Sequence, residues 1–217
     1  MGEFVIYETD ERMFFLKRQL TGLRPVVNTH VFAPNLRLSP ERFDHIKEGE
    51  TLISGRLDED AEELARKLHL RVCDMLENEK FQAANARLTA EGTLGIILEH
   101  SMLALHDILA LVIGFGRTGA AVCRLLDRLG VTVDVATSSS PRPAGAFARR
   151  VVTASDAELP LYDVVINTAP KKLISDERAC TMRHDVVYID LASVHAGTSQ
   201  CCASSGWTRR RTLRCLQ

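Results

Sequence analysis

Excess charge of either sign is nearly absent from this chain. Its 27 basic and 28 acidic residues leave a net charge of −1, so no overall field draws it to nucleic acid or to an anionic membrane. The balance is uneven, because residues 201–217 hold four arginines and no acid, which leaves −5 on the first 200 residues. No CxxC pair occurs among Cys73, Cys123, Cys180, Cys201, Cys202 and Cys215, and no histidine stands at metal-ligand spacing from them; a zinc site is not expected. No signal peptide opens the sequence and Cys123 falls within an expected helix, so reduced thiols in a cytoplasmic protein are the expectation. Long hydrophobic runs are missing too. The longest apolar region, Leu94 to Ile113, is interrupted by Glu99, His100, His106 and Asp107, which excludes a bilayer-spanning helix there. No repeat of solenoid type is visible. No Ser/His/Asp or Cys/His arrangement can be read, and catalytic residues stay unassigned.

What is present is an alternation of strand and helix patterns in a chain of 217 residues with 46% hydrophobic content, enough to bury a core. Phe4 to Tyr7 reads as a short strand, and Glu11 to Leu20 as a helix with Met13, Phe14, Leu16 and Leu20 apolar. Residues 21–60 contain Pro25, Pro34 and Pro40 among β-like pieces, Val26-Val27 and Thr51 to Ile53. Glu59 to Leu70 reads as helix and Arg71 to Met75 as strand. Thr89, as N-cap, is expected to open a long connecting helix that reaches about Leu105. Later strands are expected near 109–114, 131–136, 150–152, 162–167 and 186–191. The fold class is α/β: a Rossmann-like parallel sheet with a smaller N-terminal α/β domain. The expected domains are 1–88, 89–198 including the connecting helix, and an irregular basic tail, 199–217, which carries the single Trp and no apolar period.

The chemistry concentrates at Gly114-Phe115-Gly116-Arg117-Thr118-Gly119. The apolar run Ile108 to Ile113 precedes it, and a helical pattern from Ala120 to Leu129 follows, with Val122, Leu125, Leu126 and Leu129 on one face. Gly130 ends that helix and Val131 to Ala136 supplies a second strand. This is the strand–turn–helix–strand setting that a dinucleotide fingerprint requires. The first glycine makes the tight turn, the second lets a pyrophosphate approach the backbone, and the third lets helix and strand pack closely. The phosphates then face the helix N-terminus.

NAD-binding domains carry an acid at the end of the second strand, for the ribose hydroxyls. Here the strand runs instead into Thr137-Ser138-Ser139-Ser140-Pro141-Arg142. Hydroxyls can donate to a 2′-phosphate and Arg142 can pair with it, so NADP is expected over NAD; the plain alternative is a solvated loop that admits either. Asp134 is nearer in sequence, but alternation places it inside the strand. Asn167-Thr168-Ala169-Pro170 and the segment Asp190-Leu191-Ala192-Ser193 follow buried-looking strands and are placed along the nicotinamide half of a cleft. His100 and His106 are candidates for proton transfer, or else solvated or core-capping histidines.

With these segments in view, the chain resembles the A subunit of bacterial dipicolinate synthase. The resemblance rests on Thr89-Ala90-Glu91-Gly92, Glu99-His100, Leu105-His106, the glycine turn with its Arg117-Thr118 pair, Ile166 to Pro170, and Asp190 to Ser193. More weakly, Asp10 and Arg12 resemble that family's Gly-Gly-Asp-x-Arg start. The resemblance implies an NADP-dependent oxidoreductase of the mother cell in sporulation. Working with a flavoprotein-like B subunit, it would oxidise a dihydrodipicolinate precursor to dipicolinate. Arg87 and Arg117 are guesses for the carboxylate contacts, and a homo-oligomer is possible. Departures are Glu8-Thr9 for paired glycines, Leu88 for a proline, Asp107 for a glycine, and Val194 to Thr198 for part of a glycine-rich loop. Measured against the family, the N-terminal domain is expected to be short, and the C-terminal end to lack the elements that close the sheet. Two other readings stand beside this one: a 2-hydroxy-acid-type two-domain dehydrogenase, and a nucleotide-binding subunit without activity.

Overall fold

The computed structural model describes residues 1–138 and 147–192, together with the backbone of 212–214. The chain divides into two compact units, Met1–Gln82 and Ala83–Gln217.

The first unit contains β1 (Phe4–Ile6), α1 (Glu11–Leu20), β2 (Thr29–Val31), β3 (Thr51–Ser54), α2 (Glu59–Lys67) and β4 (Arg71–Asp74). Its strands lie in the order β1-β2-β3-β4, all parallel. Both helices start on an aspartate: Asp10 accepts from the Met13 amide at 3.2 Å and Asp58 from the Ala61 amide at 2.8 Å. Acids in their first turns and cations in their last turns complement the helix dipole. The alternation Val31-Phe32-Ala33 supplies both faces of the sheet. Val31 and Ala33 pack with Met13 of α1, whereas Phe32 packs with Leu52 and with Ala61 and Ala65 of α2.

One polar chain crosses this interior. His30 Nε2 lies 2.8 Å from Glu50 Oε2, and His30 Nδ1 lies 3.0 Å from the Tyr7 hydroxyl. Burial opposes the charge on Glu50, but donation from the Lys47 amide, Asn28 and His30 outweighs it and holds the carboxyl below its ordinary value.

Helix α3 (Glu79–His100) carries the chain into the second unit. It starts ten residues before Thr89. Asn78 makes the cap, accepting from the Phe81 amide at 3.0 Å, whereas the Thr89 hydroxyl donates back to the Asn85 carbonyl within the helix. The N-cap reading of Thr89 is therefore corrected, since a mid-helix threonine can satisfy itself four residues back. Val26-Val27 is likewise not a strand; that role falls to Thr29–Val31.

The second unit holds β5 (Leu109–Ile113), α4 (Arg117–Arg128), β6 (Thr132–Thr137), β7 (Arg150–Thr153), β8 (Val164–Asn167), α5 (Asp176–Ala179), β9 (Val187–Asp190) and β10 (Thr212–Arg214). The order is β10-β9-β8-β5-β6-β7 with every pair parallel. Both faces are covered. Val122, Cys123 and Leu126 of α4, with Ala90 and Ile97 of α3, pack on Ala110, Val112, Val133 and Ile166. Opposite them, Leu111, Ile113, Val165 and Tyr188 pack with Tyr162, Ala179 and Met182. Two-sided burial is why these strands read as continuous apolar runs. Burial also pushes the Cys123 thiol up to about 12, which leaves it inert as a nucleophile.

The C-terminal part adds two features. Within the tail, residues 212–214 form β10, which pairs with β9, sets Leu213 opposite Ile189 and becomes the edge strand of the sheet. Parallel pairing satisfies backbone groups contributed from far along the chain and needs no local period. Cys180 is disulfide-bonded, while Cys73 and Cys123 are free. Disulfide pairing follows Cα proximity in space, which sequence spacing does not report.

Asp134 is an acid buried within the central sheet of the second unit, at 0% exposure. It receives Arg149 Nε and Nη2 at 2.9 and 2.7 Å, Arg150 Nε at 2.7 Å and the Tyr162 hydroxyl at 2.9 Å. Burial raises its pKa, but the hydrogen bonds from Arg149, Arg150 and Tyr162 together lower it below the ordinary value. A carboxyl depressed in the folded state contributes stability above its unfolded pKa, near ~3.9, and loses it as pH falls through the lower folded value. Asp134→Asn is expected to cost about 2–3 kcal/mol at pH 7. Urea melts at pH 7 and pH 3 check this: the gap between wild type and variant must narrow in acid.

Candidate nucleotide-binding site

The strand order places β5 at the centre, with the chain moving to β6 and β7 on one side and to β8, β9 and β10 on the other. A crevice opens outside the carboxyl ends of β5 and β8 at such a reversal, and open α/β sheets bind ligands there. The glycine turn leaves β5, and Asn167-Thr168-Ala169-Pro170 leaves β8. The structure brings these two segments together. The Thr168 amide and hydroxyl donate to the Ile113 carbonyl at 2.8 and 3.0 Å, and the hydroxyl lies 3.3 Å from the Gly114 carbonyl. Asn167 is buried; its Nδ2 donates to Asp190 Oδ1 at 3.0 Å, and its Oδ1 accepts from the Ala169 amide at 3.2 Å. Asp190 Oδ1 also accepts from the Ala192 amide at 3.1 Å, which ties the end of β9 into the same rim.

Each glycine of the turn meets a different constraint. Gly114 has φ +92°, and a Cβ there would also lie 2.8 Å from Thr168 Oγ1. At Gly119 a Cβ would fall 2.3 Å from the Gly114 carbonyl oxygen and 2.9 Å from Thr168 Oγ1, so the first turn of α4 presses directly on the exit from β5. Gly116 is the opposite case: a Cβ there would meet nothing within 4 Å. Gly116 caps α4 without a side-chain hydrogen bond, and no acid stands in the first turn. The Ala120 amide is committed to the Gly116 carbonyl at 2.9 Å; the amides of Arg117, Thr118 and Gly119 precede it at the open N-terminus. The result is space in front of backbone donors at the positive end of a helix, which is what an anionic group needs. The residues present fit a pyrophosphate.

On the other flank, Gly114 N donates to the Ala136 carbonyl at 2.8 Å, which sets the end of β6 beside the turn. Thr137 ends β6 opposite Thr153, and Ser138 is exposed beyond it. Ser139, Arg142 and Ser193 lie outside the described residues. After β7, Asp156 accepts from the Thr153 and Ser155 hydroxyls at 2.6 and 3.2 Å. Asp134 is committed to its arginines and tyrosine below the rim, as its place inside the strand implies. A lone acid in an apolar strand signals buried partners, and Arg149-Arg150 leading into the next strand was the clue to them.

No family model matches the chain. The A subunit of dipicolinate synthase of Bacillus subtilis (strain 168) is 26% identical over 177 residues, which cover 80% of this chain and 60% of that protein. The chain is similar to the dipicolinate synthase A subunit. It spans about 60% of the length of that curated relative. Among solved structures, the A chain of dipicolinate synthase from Bacillus subtilis superposes with a TM-score of 0.74 at 18% identity, over 99% of this chain and 86% of that one. The A subunit from Bacillus halodurans gives 0.70 at 22% identity, over 88% and 71%. A glycerate dehydrogenase related protein from Thermoplasma acidophilum gives 0.54 at 12%, over 99% and 82%. The fold is thus the α/β, Rossmann-like architecture shared by the dipicolinate synthase A subunit with two-domain dehydrogenases.

Neither candidate histidine joins the turn. His100 Nδ1 donates to the Ile96 carbonyl at 3.1 Å, which caps the end of α3. His106 packs beside Gly130, 3.8 Å from where a Cβ there would lie. Gly130 follows the far end of α4, about 20 Å from the turn at 1.5 Å per residue. No helix is long and apolar enough to cross a membrane among the described residues.

The glycines separate by substitution. Gly119→Ala is expected to lose about 2–3 kcal/mol through overpacking against backbone, whereas Gly116→Ala should stay within about 1 kcal/mol as a modest capping change. Thermal and urea melts of the two variants check the contrast.

Proposed function

We propose that this chain binds a nicotinamide dinucleotide, NADP in preference to NAD, outside the ends of β5 and β8. In this reading it serves as the A-type subunit of a dipicolinate synthase, with a flavoprotein-like B subunit, in the cytoplasm of a sporulating mother cell. The observation that carries the reading is the open space at Gly116 in front of the α4 amides.

When bound, the cofactor supplies a hydride acceptor, and the dihydrodipicolinate precursor becomes aromatic by losing a hydride and a proton. The chain's own residues bind and orient. Amides of Arg117, Thr118 and Gly119 hold the paired phosphates, and the Arg117 side chain adds positive charge at the first helical position. Thr137, Ser138, Ser139 and Arg142 receive the 2′-phosphate. That reading is supported by the commitment of Asp134 to Arg149, Arg150 and Tyr162, which leaves β6 no free acid to repel the phosphate. Asn167, Thr168, Ala169, Pro170, Ala192 and Ser193 border the nicotinamide half, where Asn167 and Asp190 brace the two loops against each other. Alignment of ring carbon and nicotinamide is the main catalytic contribution of such a site.

Titration of the purified chain with NADPH and NADH tests this. NADPH is expected to bind at least ~10-fold more tightly, a difference of about 1.4 kcal/mol. Gly116→Ala is expected to weaken NADPH by at least as much while leaving the melt little changed. Equal affinity for the two cofactors sinks the 2′-phosphate assignment, and binding of neither sinks the cradle. NADPH binding without dipicolinate formation, when precursor and the B partner are both present, would favour a nucleotide-binding role lacking activity.

A further inference from the structure

The first unit carries a pair of cations that its fold sets side by side and that have no ion pair among the described residues. Leu38 and Leu57 form a parallel bridge in the loops that follow β2 and β3. Its hydrogen bonds run from the Leu38 amide to the Arg56 carbonyl and from the Asp58 amide to the Leu38 carbonyl, each at 3.0 Å. In that register Arg37 stands opposite Arg56, on backbones about 4.8 Å apart. Leu38 is buried in the core beneath, with Leu57 packed against the same cluster. Both arginines are exposed, as alternation along an extended segment requires.

The two loops are closely packed. Gly55 abuts the loop after β2 so closely that a Cβ would lie 2.0 Å from the Pro34 carbonyl oxygen. A third cation is fastened to the same loop, because Arg12 Nη2 donates to Asn35 Oδ1 at 3.2 Å and to Asp10 Oδ2 at 2.6 Å.

Like charges directly across neighbouring strands oppose folding unless something neutralises them. Three acids near the pair are engaged elsewhere. Glu8 pairs with Lys17, Asp10 serves Arg12 and the Met13 amide, and Asp58 caps α2. Neither Arg37 nor Arg56 has an ion pair among the described residues, unlike Arg12, Arg149, Arg150 and Arg183. The pair also lies beyond the carboxyl ends of β2 and β3, where open parallel sheets take their ligands.

We propose that Arg37 and Arg56 together form a carboxylate-binding site on this rim, and that its ligand is the pyridine dicarboxylate of the proposed reaction. Guanidinium forks match carboxylates in plane and in spacing, and two forks on one braced platform favour a ligand with two carboxylates over one. The assignment rests on the substrate class given under the proposed function.

Calorimetric titration of the full chain with dipicolinate tests it, with NADPH titrated in parallel. Arg37→Gln and Arg56→Gln are each expected to raise the dissociation constant for dipicolinate about tenfold, with a larger loss in the double variant. NADPH affinity should not change. Pyridine-2-carboxylate should bind wild type more weakly than dipicolinate does. Because the two cations repel, the variants should melt at the wild-type temperature or above it. Equal dipicolinate affinity in wild type and double variant overturns the proposal, as does absence of dipicolinate binding to wild type. Displacement of dipicolinate by equimolar sulfate would also overturn it, by showing an unspecific anion patch. A marked fall in melting temperature would do the same, by showing that the guanidiniums are structural. None of these results bears on the NADPH titration, so failure of this site and failure of the cofactor reading remain distinguishable.

Discussion

The contact between Gly119 and the Gly114 carbonyl governs the geometry of the second unit. With no side chain between them, the first turn of α4 lies directly against the residue that leaves β5. The N-terminal amides of that helix consequently stand at the central crevice of the sheet rather than a side chain's width away. Thr168 completes the arrangement from the neighbouring strand, since its hydroxyl and amide hold the same turn. A helix N-terminus is a common feature; this one is fixed at the point where the strand order reverses, the place where open α/β sheets bind their ligands.

Both units solve the same problem, burying a polar group inside a parallel sheet, by full pairing. His30 and Glu50 in the first unit and Asp134 in the second are surrounded by donors and acceptors from several segments. Such groups rigidify a core when every partner is present and destabilise it when one is missing. The Asp134 cluster engages the one acid of β6 with Arg149, Arg150 and Tyr162.

Much of the architecture was legible from hydrophobic pattern. The runs at Leu109 to Ile113, Val164 to Asn167 and Val187 to Asp190 are apolar because helices cover both faces of the sheet, and they emerge as β5, β8 and β9. The helix Glu11–Leu20 was legible to its ends because Asp10 caps it and its charges follow its dipole. The start of α3 was hidden. Thr89 carries the chemistry of a cap, but Asn78 occupies the position where the chain turns. The disulfide state of Cys180 and the strand at 212–214 depend on segments distant in sequence meeting in space, and local pattern is silent about both.

The candidate site divides in the same way. Residue order alone specified a glycine turn between a buried strand and an amphipathic helix, since glycine spacing and apolar period are local properties of the chain. The order also kept Asp134 inside its strand, because side chains alternate there. Only the assembled sheet put Thr168 against Gly114, left Gly116 facing open space, gave Asp134 its two arginines and its tyrosine, and stood Arg37 beside Arg56. These are contacts between segments separated along the chain, and hydrogen-bond register, not composition, decides which of them meet.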